Sequence, residues 1–296
     1  MSAKIIDGNA IAASVRAEVK QEADDLKRRG IEPCLAVMLV GENPASKVYV
    51  GMKEKKCAEV GIRNVDERLP ADTPQAEILA ILDRWNADPS IHGILVQLPL
   101  PDHVDERTVT ERILPGKDVD GFHPVNVGRM SAGDTGAFRP CTPHGVQVML
   151  KHIGWDPAGR HAVVVGRSNI VGRPMATILS QKEPYANATV TIAHSRSHDL
   201  AGVCRLADLL VVAVGRPESV TGEMVREGAV VIDVGVNRVD DPSTEKGYRL
   251  VGDVDFEGAK EKASWITPVP GGVGPMTIAM LLRNTVTAAA RMARAG

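Results

Sequence analysis

Two periodicities alternate along this chain. Apolar runs of strand length stand at 35–40, 93–98, 162–166, 188–194, 209–215 and 229–235, and a more mixed strand is expected at 62–69. Runs that are apolar on both faces read as strands buried in a parallel sheet. Stretches of helical period lie between them. Ile11, Val15, Val19 and Leu26 recur at near-helical spacing, with Asn9 as the expected N-cap and Gly30 as the stop. A second helix begins after Ser46 or the preceding Asn43-Pro44 and ends at Gly61. Asp72 and Gln75 resemble a capping box ahead of an apolar stripe of Ile78, Ile81, Leu82 and Trp85. Another helix is expected near 105–114. Thr142 is expected to cap a helix with Pro143 in its first turn and Gly154 past its end. The last helix shows Ile278, Leu281, Leu282 and Val286 on one face.

Strand and helix alternate in both halves, which predicts an α/β protein of two lobes, the second a Rossmann-like doubly wound parallel sheet. Its 296 residues suit about two domains. Irregular, Gly-rich sequence from 115 to 140 marks a boundary and a cleft edge. The expected division is 1–139, with 276–296 returning to it, and 140–275. The stretch 237–249 is polar and without a distinctive motif.

Composition narrows the function. A hydrophobic share of 44% and a net charge of −2 argue against disorder, a membrane span and a nucleic-acid footprint. The four cysteines are widely spaced and form no C-x-x-C, which suits free thiols in a reducing cytoplasm and argues against a metal site. The N-terminus has neither a signal-peptide core nor an Arg-rich amphipathic lead.

The chemistry gathers first at His161–Pro174. A buried strand runs into a glycine turn, and a helix opens near Gly172-Arg173-Pro174. The N–H groups and dipole of a helix start favour phosphate. The dinucleotide fingerprint G-x-G-x-x-G is met only in part: Gly166 takes the first position, Ser168 the second and Val171 the third. An ordinary βα turn is the alternative. After the next strand come His194-Ser195-Arg196, with no carboxylate before Asp199. A carboxylate there would hold an unphosphorylated ribose, whereas Ser and Arg suit a 2′-phosphate. The cofactor expected is therefore NADP.

Tyr49 and Lys53 lie one helical turn apart and face the same way. A partly desolvated lysine can exchange protons near neutrality, although a solvated pair is the alternative. The Y-x-x-x-K spacing also occurs in short-chain dehydrogenases, but there it follows the dinucleotide turn, and here it precedes Gly166 by more than a hundred residues. Gln97 ends an apolar strand, where open α/β sheets bind ligands, or else caps it. Asp118 and Asp120 are either solvated carboxylates, Asx-turn formers, or an acceptor pair for an amino-heterocycle such as a pterin. Thr267–Thr277 alternates prolines and glycines, giving a stiff loop that lets a backbone or a flat ligand come close.

Taken together and in order, Tyr49-Val-Gly-Met-Lys53, Val96-Gln-Leu-Pro-Leu100, Lys117-Asp-Val-Asp-Gly121, Arg139-Pro-Cys-Thr-Pro143, Val165–Gly172 and Pro268–Thr277 resemble the bifunctional methylenetetrahydrofolate dehydrogenase/methenyltetrahydrofolate cyclohydrolase family. The resemblance spans nearly the whole chain. It implies two α/β lobes with a folate cleft between them, a homodimer, and NADP-dependent oxidation of 5,10-methylenetetrahydrofolate followed by hydrolysis to 10-formyltetrahydrofolate. It implies Lys53 as the catalytic amine, Gln97 as its partner, Tyr49 stacked on the folate and Asp120 holding the pterin. Val50, Gly51, Met52, Val96, Leu98 and the loop Pro270, Gly271, Gly272, Val273 and Gly274 would line the folate site. Gly166, Arg167 and Ser168 would hold the cofactor phosphates, with Ser195 near the 2′-phosphate and Val236 near the nicotinamide end; Arg196, from the reading of the turn itself, would join Ser195. Two alternatives stay open: another two-lobed NADP dehydrogenase, acting for example on a shikimate-like or amino-acid substrate, and a catalytically silent dinucleotide-binding scaffold.

Overall fold

Cys34–Val40 (β2) is buried at all seven positions, and a strand with no polar face can only be a central one. A computed structural model, which describes residues 2–245 and 247–295, places it between two parallel neighbours, in the order Arg63–Leu69 (β3), β2, Gly93–Val96 (β4). These strands belong to the first of two compact units, Ala13–Cys141 with the C-terminal stretch from Ile278. Its helices are Pro44–Val60 (α2), Gln75–Ala87 (α3), Glu106–Arg112 (α4) and Pro124–Ser131 (α5). Ile78, Ile81, Leu82 and Trp85 on α3 pack with Ala36, Met38 and Ile94 of the sheet, so the apolar stripe is core.

The second unit comprises Thr142–Thr277 and the N-terminal residues up to Ala12. Six parallel strands stand in the order Lys4–Ile5 (β1), Trp265–Ile266 (β11), Val230–Asp233 (β8), Leu209–Val212 (β7), His161–Val165 (β5), Thr189–Ala193 (β6). From β5 the chain moves out to β6 on one side, then returns to build β7, β8 and β11 on the other. The direction of winding reverses between β5 and β7, where doubly wound sheets open their ligand crevice. Helices Gly172–Ser180 (α7), Leu200–Cys204 (α8) and Phe256–Lys262 (α9) connect the strands. Three helices carry the chain from one unit into the other: Gly8–Arg28 (α1), Cys141–His152 (α6) and Val273–Ala295 (α10).

Local chemistry differs from expectation in several places. Asn9 lies inside α1, and the Asp7 carboxylate caps it by accepting from Ala10 N at 3.1 Å. No capping box forms at Asp72: Pro74 is the N-cap of α3, and the Gln75 side chain accepts from Asp105 N at 2.8 Å. Thr142 sits within α6, its hydroxyl 2.8 Å from that of Thr277. The 115–140 stretch holds α5, which Pro124 opens and the His123 ring caps. The motif-poor 237–249 stretch folds as an antiparallel hairpin, Asn237–Asp240 (β9) with Tyr248–Val251 (β10). The N-terminal residues, expected with the first lobe, join the second unit because β1 extends its sheet through β11.

Candidate active site

Lys53 is a lysine with almost no exposure, 8%. It projects from α2 on the face it shares with Tyr49 and Cys57, three residues in steps of four. Its Nζ donates to Gln97 Oε1 at 2.9 Å. Gln97 stands one residue beyond β4, tied by its own N–H to Met38 O at 2.8 Å. Its Nε2 donates to Leu98 O at 2.7 Å, so the oxygen end is the one turned to the lysine. Burial pushes the Lys53 amine below its ordinary pKa, opposed by the charge of Asp120. Burial pushes the Asp120 carboxyl up to about 6, against the pull of Lys53 and a hydrogen bond from Cys141. The buried Cys141 thiol also lies 3.3 Å from Val119 O. Desolvation therefore moves both ionisable groups towards their neutral forms while their mutual attraction holds them charged. Burial also raises the Tyr49 phenol, which stays protonated at neutral pH.

The segment 117–121 divides its labour. Lys117 Nζ donates to the carbonyls of Trp85, Asn86 and Asp88 at 2.9, 2.9 and 2.7 Å, closing the C-terminus of α3. Asp118 accepts from the N–H groups of Gly121, Phe122 and His123 and from Asn126 Nδ2, so it is the turn former. Asp120 alone of the three bears electrostatically on the lysine. Gly121 has φ +78°, and a Cβ there would strike the backbone of Arg139 and Pro140. That close approach sets Asp120 beside Cys141.

Other expected folate-lining residues differ in their surroundings. Val50 and Val96 are core side chains, at 1% and 9% exposure, and can offer a ligand little but backbone. Leu98 packs on the same core, whereas Met52 is exposed. In Pro270–Gly274 the glycines admit a neighbouring backbone: Gly271 O accepts from Asn9 N at 3.1 Å, and a Cβ on Gly8 would overlap the Gly272 carbonyl. Val273 is buried.

The second constellation lies at the carboxyl edge of the six-stranded sheet. Gly166, just past β5, has φ +131°, and a Cβ on it would overlap the Ala213 carbonyl at the end of β7. A Cβ on Gly172 would overlap Gly166 O. Two glycines thus make the tight turn that the partial fingerprint only suggested. Ser168 Oγ accepts from Val171 N at 3.1 Å and holds the turn against the start of α7, with Arg167 exposed beside it. Beyond β6, His194–Ser197 is a turn tied by His194 N to Ser197 Oγ at 3.0 Å, and it leaves Ser195 and Arg196 exposed. Asp199, the first carboxylate along, caps α8 by accepting from Gly202 N. Val236, exposed, follows β8. The cradle without Cβ atoms, the helix start behind it and the acid-free turn fit a dinucleotide with an extra phosphate.

Buried Asp233 and Asp253, with half-buried Asn237, form a polar network behind this edge that sequence reasoning missed. Their only signal was the pairing of Asp233 with Gly235 and of Gly252 with Asp253. Cys141 was missed as a neighbour of Lys53 and Asp120, although it stands in one of the recognised motifs.

The fold and these two constellations define a nicotinamide-dinucleotide oxidoreductase that carries a separate lysine–glutamine–aspartate unit. Residues 6–120 match the catalytic domain of tetrahydrofolate dehydrogenase/cyclohydrolase, and residues 140–293 match its NAD(P)-binding domain. The chain is 61% identical over 291 residues to the bifunctional protein FolD of Moorella thermoacetica, covering 98% of this chain and 100% of that one. It resembles the crystal structure of the bifunctional FolD of Campylobacter jejuni, with TM-score 0.92 and 50% identity over 98% and 99% of the two chains. The Trypanosoma brucei enzyme, solved with NADP cofactor and an inhibitor, gives TM-score 0.94 and 42% identity over 99% of each. A shikimate 5-dehydrogenase from Listeria monocytogenes is 14% identical at TM-score 0.50, covering 88% of this chain and 96% of that one, and shares the fold alone. The chain belongs to the tetrahydrofolate dehydrogenase/cyclohydrolase family. It is a bifunctional enzyme, a methylenetetrahydrofolate dehydrogenase and a cyclohydrolase, so neither the shikimate-type reading nor the silent scaffold holds.

Proposed function

We propose that this chain oxidises 5,10-methylenetetrahydrofolate with NADP⁺, and that Lys53 then moves the protons that convert the methenyl product to 10-formyltetrahydrofolate. The Lys53–Gln97 contact of 2.9 Å, between a buried amine and a half-buried amide, is the observation that carries this reading. When bound, NADP⁺ supplies the hydride acceptor of the oxidation. Gly166, Arg167 and Ser168 would hold its phosphates, Ser195 and Arg196 its 2′-phosphate, and Val236 would stand at its nicotinamide end.

In the hydrolysis the neutral Lys53 amine takes a proton from the water that attacks the methenyl carbon. The resulting ammonium returns a proton to N5 of the pterin as the carbon–N5 bond breaks. The carbinol hydroxyl gives up its own proton as the formyl carbonyl forms, and a net proton is released. Gln97 aims the amine. Asp120 hydrogen-bonds the pterin and tunes Lys53 through its charge. Tyr49 stacks on the folate, and Gly51 and Met52 on α2 line its site. Positioned acid–base groups of this kind contribute about 10²–10⁴ in rate.

The enzyme works as a homodimer in the cytoplasm. All four cysteines are buried free thiols, which suits a reducing compartment. No helix among the described residues is long and apolar enough to cross a membrane. Light scattering of purified protein tests the dimer. One cuvette tests the rest: with 5,10-methylenetetrahydrofolate and NADP⁺, NADPH appears without accumulation of the methenyl intermediate. Accumulating intermediate means that Lys53 does not move the protons of the hydrolysis.

A further inference from the structure

We infer that Asp253 is a positioning residue for the nicotinamide half of the cofactor, acting through the loop that follows β7, and that Asp233 seats it. The inference rests on reading the carboxyl edge of the six-stranded sheet as the NADP site.

Asp253 is fully buried, and among the described residues the hydrogen-bond partners of its carboxylate are neutral donors. Its Oδ2 accepts from Val214 N at 2.6 Å and Gly215 N at 2.9 Å, and its Oδ1 accepts from Arg216 N at 2.9 Å and Asn237 Nδ2 at 2.8 Å. Three consecutive amides of one loop thus converge on a single carboxylate. That loop begins at Ala213, whose carbonyl packs on Gly166, the first residue of the dinucleotide turn. It therefore forms the β7 side of the crevice where the winding of the sheet reverses.

The anchor is itself anchored. Asp233, at the end of β8, accepts from Gly235 N, Asp253 N and Val254 N at 2.9, 3.0 and 2.9 Å. Its backbone N donates to Thr267 Oγ1 at 2.7 Å. The two carboxylates occupy space that reciprocal glycines leave open: a Cβ on Gly235 would overlap Asp253, and one on Gly252 would overlap Asp233. Gly235 immediately precedes Val236. One network therefore fixes the loops after both β7 and β8. The backbone N–H groups it consumes would otherwise turn to solvent or to the ligand, so without it neither loop has a reason to keep one shape. The lysine of the hydrolytic step belongs to the other unit.

The test uses the full chain and its Asp253→Asn variant. An amide presents one acceptor where two are needed, leaving at least one buried N–H unpaired. NADP⁺ affinity, read by calorimetry without folate, is expected to weaken roughly tenfold, with a parallel rise in the KM for NADP⁺. Cyclohydrolase turnover of added methenyltetrahydrofolate, with no nucleotide present, is expected to stay within about twofold. Unchanged NADP⁺ affinity overturns the inference. So does a parallel fall in both activities with an unchanged Kd, which would make Asp253 a general structural pin. If Asp253→Asn does not fold, Asn237→Ala is measured instead. A selective loss of NADP⁺ affinity, about threefold, supports the inference, and no loss overturns it. The underlying reading is judged first and separately, because it fails if the unmutated chain shows no NADP⁺ binding.

Discussion

Lys53 and Gln97, 44 residues apart in the chain, meet as a buried donor and a half-buried acceptor at 2.9 Å. Each is held by something else: the lysine by a helix face at 8% exposure, the glutamine by Met38 and Leu98. A lysine in this setting is poised to lose its proton, and the consequences can be measured.

Lys53→Ala is expected to lower cyclohydrolase turnover by about a hundredfold or more while NADP⁺ affinity is retained. Stopped addition of methenyltetrahydrofolate reads the first and calorimetry the second. Hydrolysis at the unmutated rate would remove Lys53 from the mechanism.

Gln97→Ala leaves Lys53 without its aiming acceptor, and partial loss of both activities is expected. Steady-state kinetics of each half-reaction decide the point. Unchanged constants would reduce Gln97 to a strand-end residue.

Asp120→Asn removes the charge that raises the Lys53 pKa. The rising limb of the cyclohydrolase pH profile is therefore expected to move to lower pH. The same substitution alters stability. The folded carboxyl titrates near 6 rather than at the ordinary 3.8, so between these values the native state keeps a proton that the unfolded chain has released. This group's stabilisation is full below about pH 3.8 and is lost as pH rises through 6. Asp233, pushed up to about 7 by burial, contributes in the same sense over a window reaching one unit higher. Urea unfolding across pH 4–7 should show a shallower decline in Asp120→Asn than in the unmutated chain, and an identical slope would contradict the shift.

Arg196→Asp places a carboxylate in the turn after β6, where none stands between residues 194 and 198. NADP⁺ affinity should fall more than NAD⁺ affinity, as titration of both nucleotides would reveal. Equal losses would mean that the 2′-phosphate is read elsewhere.

Lys117→Met keeps the length of the side chain and removes the ammonium that satisfies three carbonyls at the end of α3. A loss of roughly 3 kcal/mol in unfolding free energy is expected, with turnover per folded molecule unchanged. Denaturation and active-site-normalised kinetics check the two halves of that statement.

Most of the secondary structure was legible along the chain because buried parallel strands are written as runs of apolar residues. β2, β5, β7 and β8 stand within a few residues of their expected places. The capping residues were less legible. Ser, Thr, Asn and Asp near a helix start all qualify, and the choice among them depends on where the rest of the chain offers a partner, as Thr277 does for Thr142 and Asp105 for Gln75. The hairpin 237–251 was hidden for a related reason. Its strands are half exposed and alternate without an apolar run, so their pairing is decided by backbone register rather than by burial.

What the sequence determined by itself was the alternation of strands and helices, the acid-free turn after β6, and six motifs in an order that names a family. Which members of those motifs act together was decided only by the tertiary structure. Lys117, Asp118 and Asp120 are indistinguishable as charged residues in one loop; folding closes a helix with the first, a turn with the second, and brings only the third's charge to bear on Lys53. Asp233 and Asp253 carry no sequence mark of their joint role, because it arises from N–H groups that converge on them after the strands are laid side by side. The physical reason is range: burial pattern and turn preference act over a few neighbouring residues, whereas desolvation and convergent hydrogen bonding depend on groups that the chain separates and only the fold brings together.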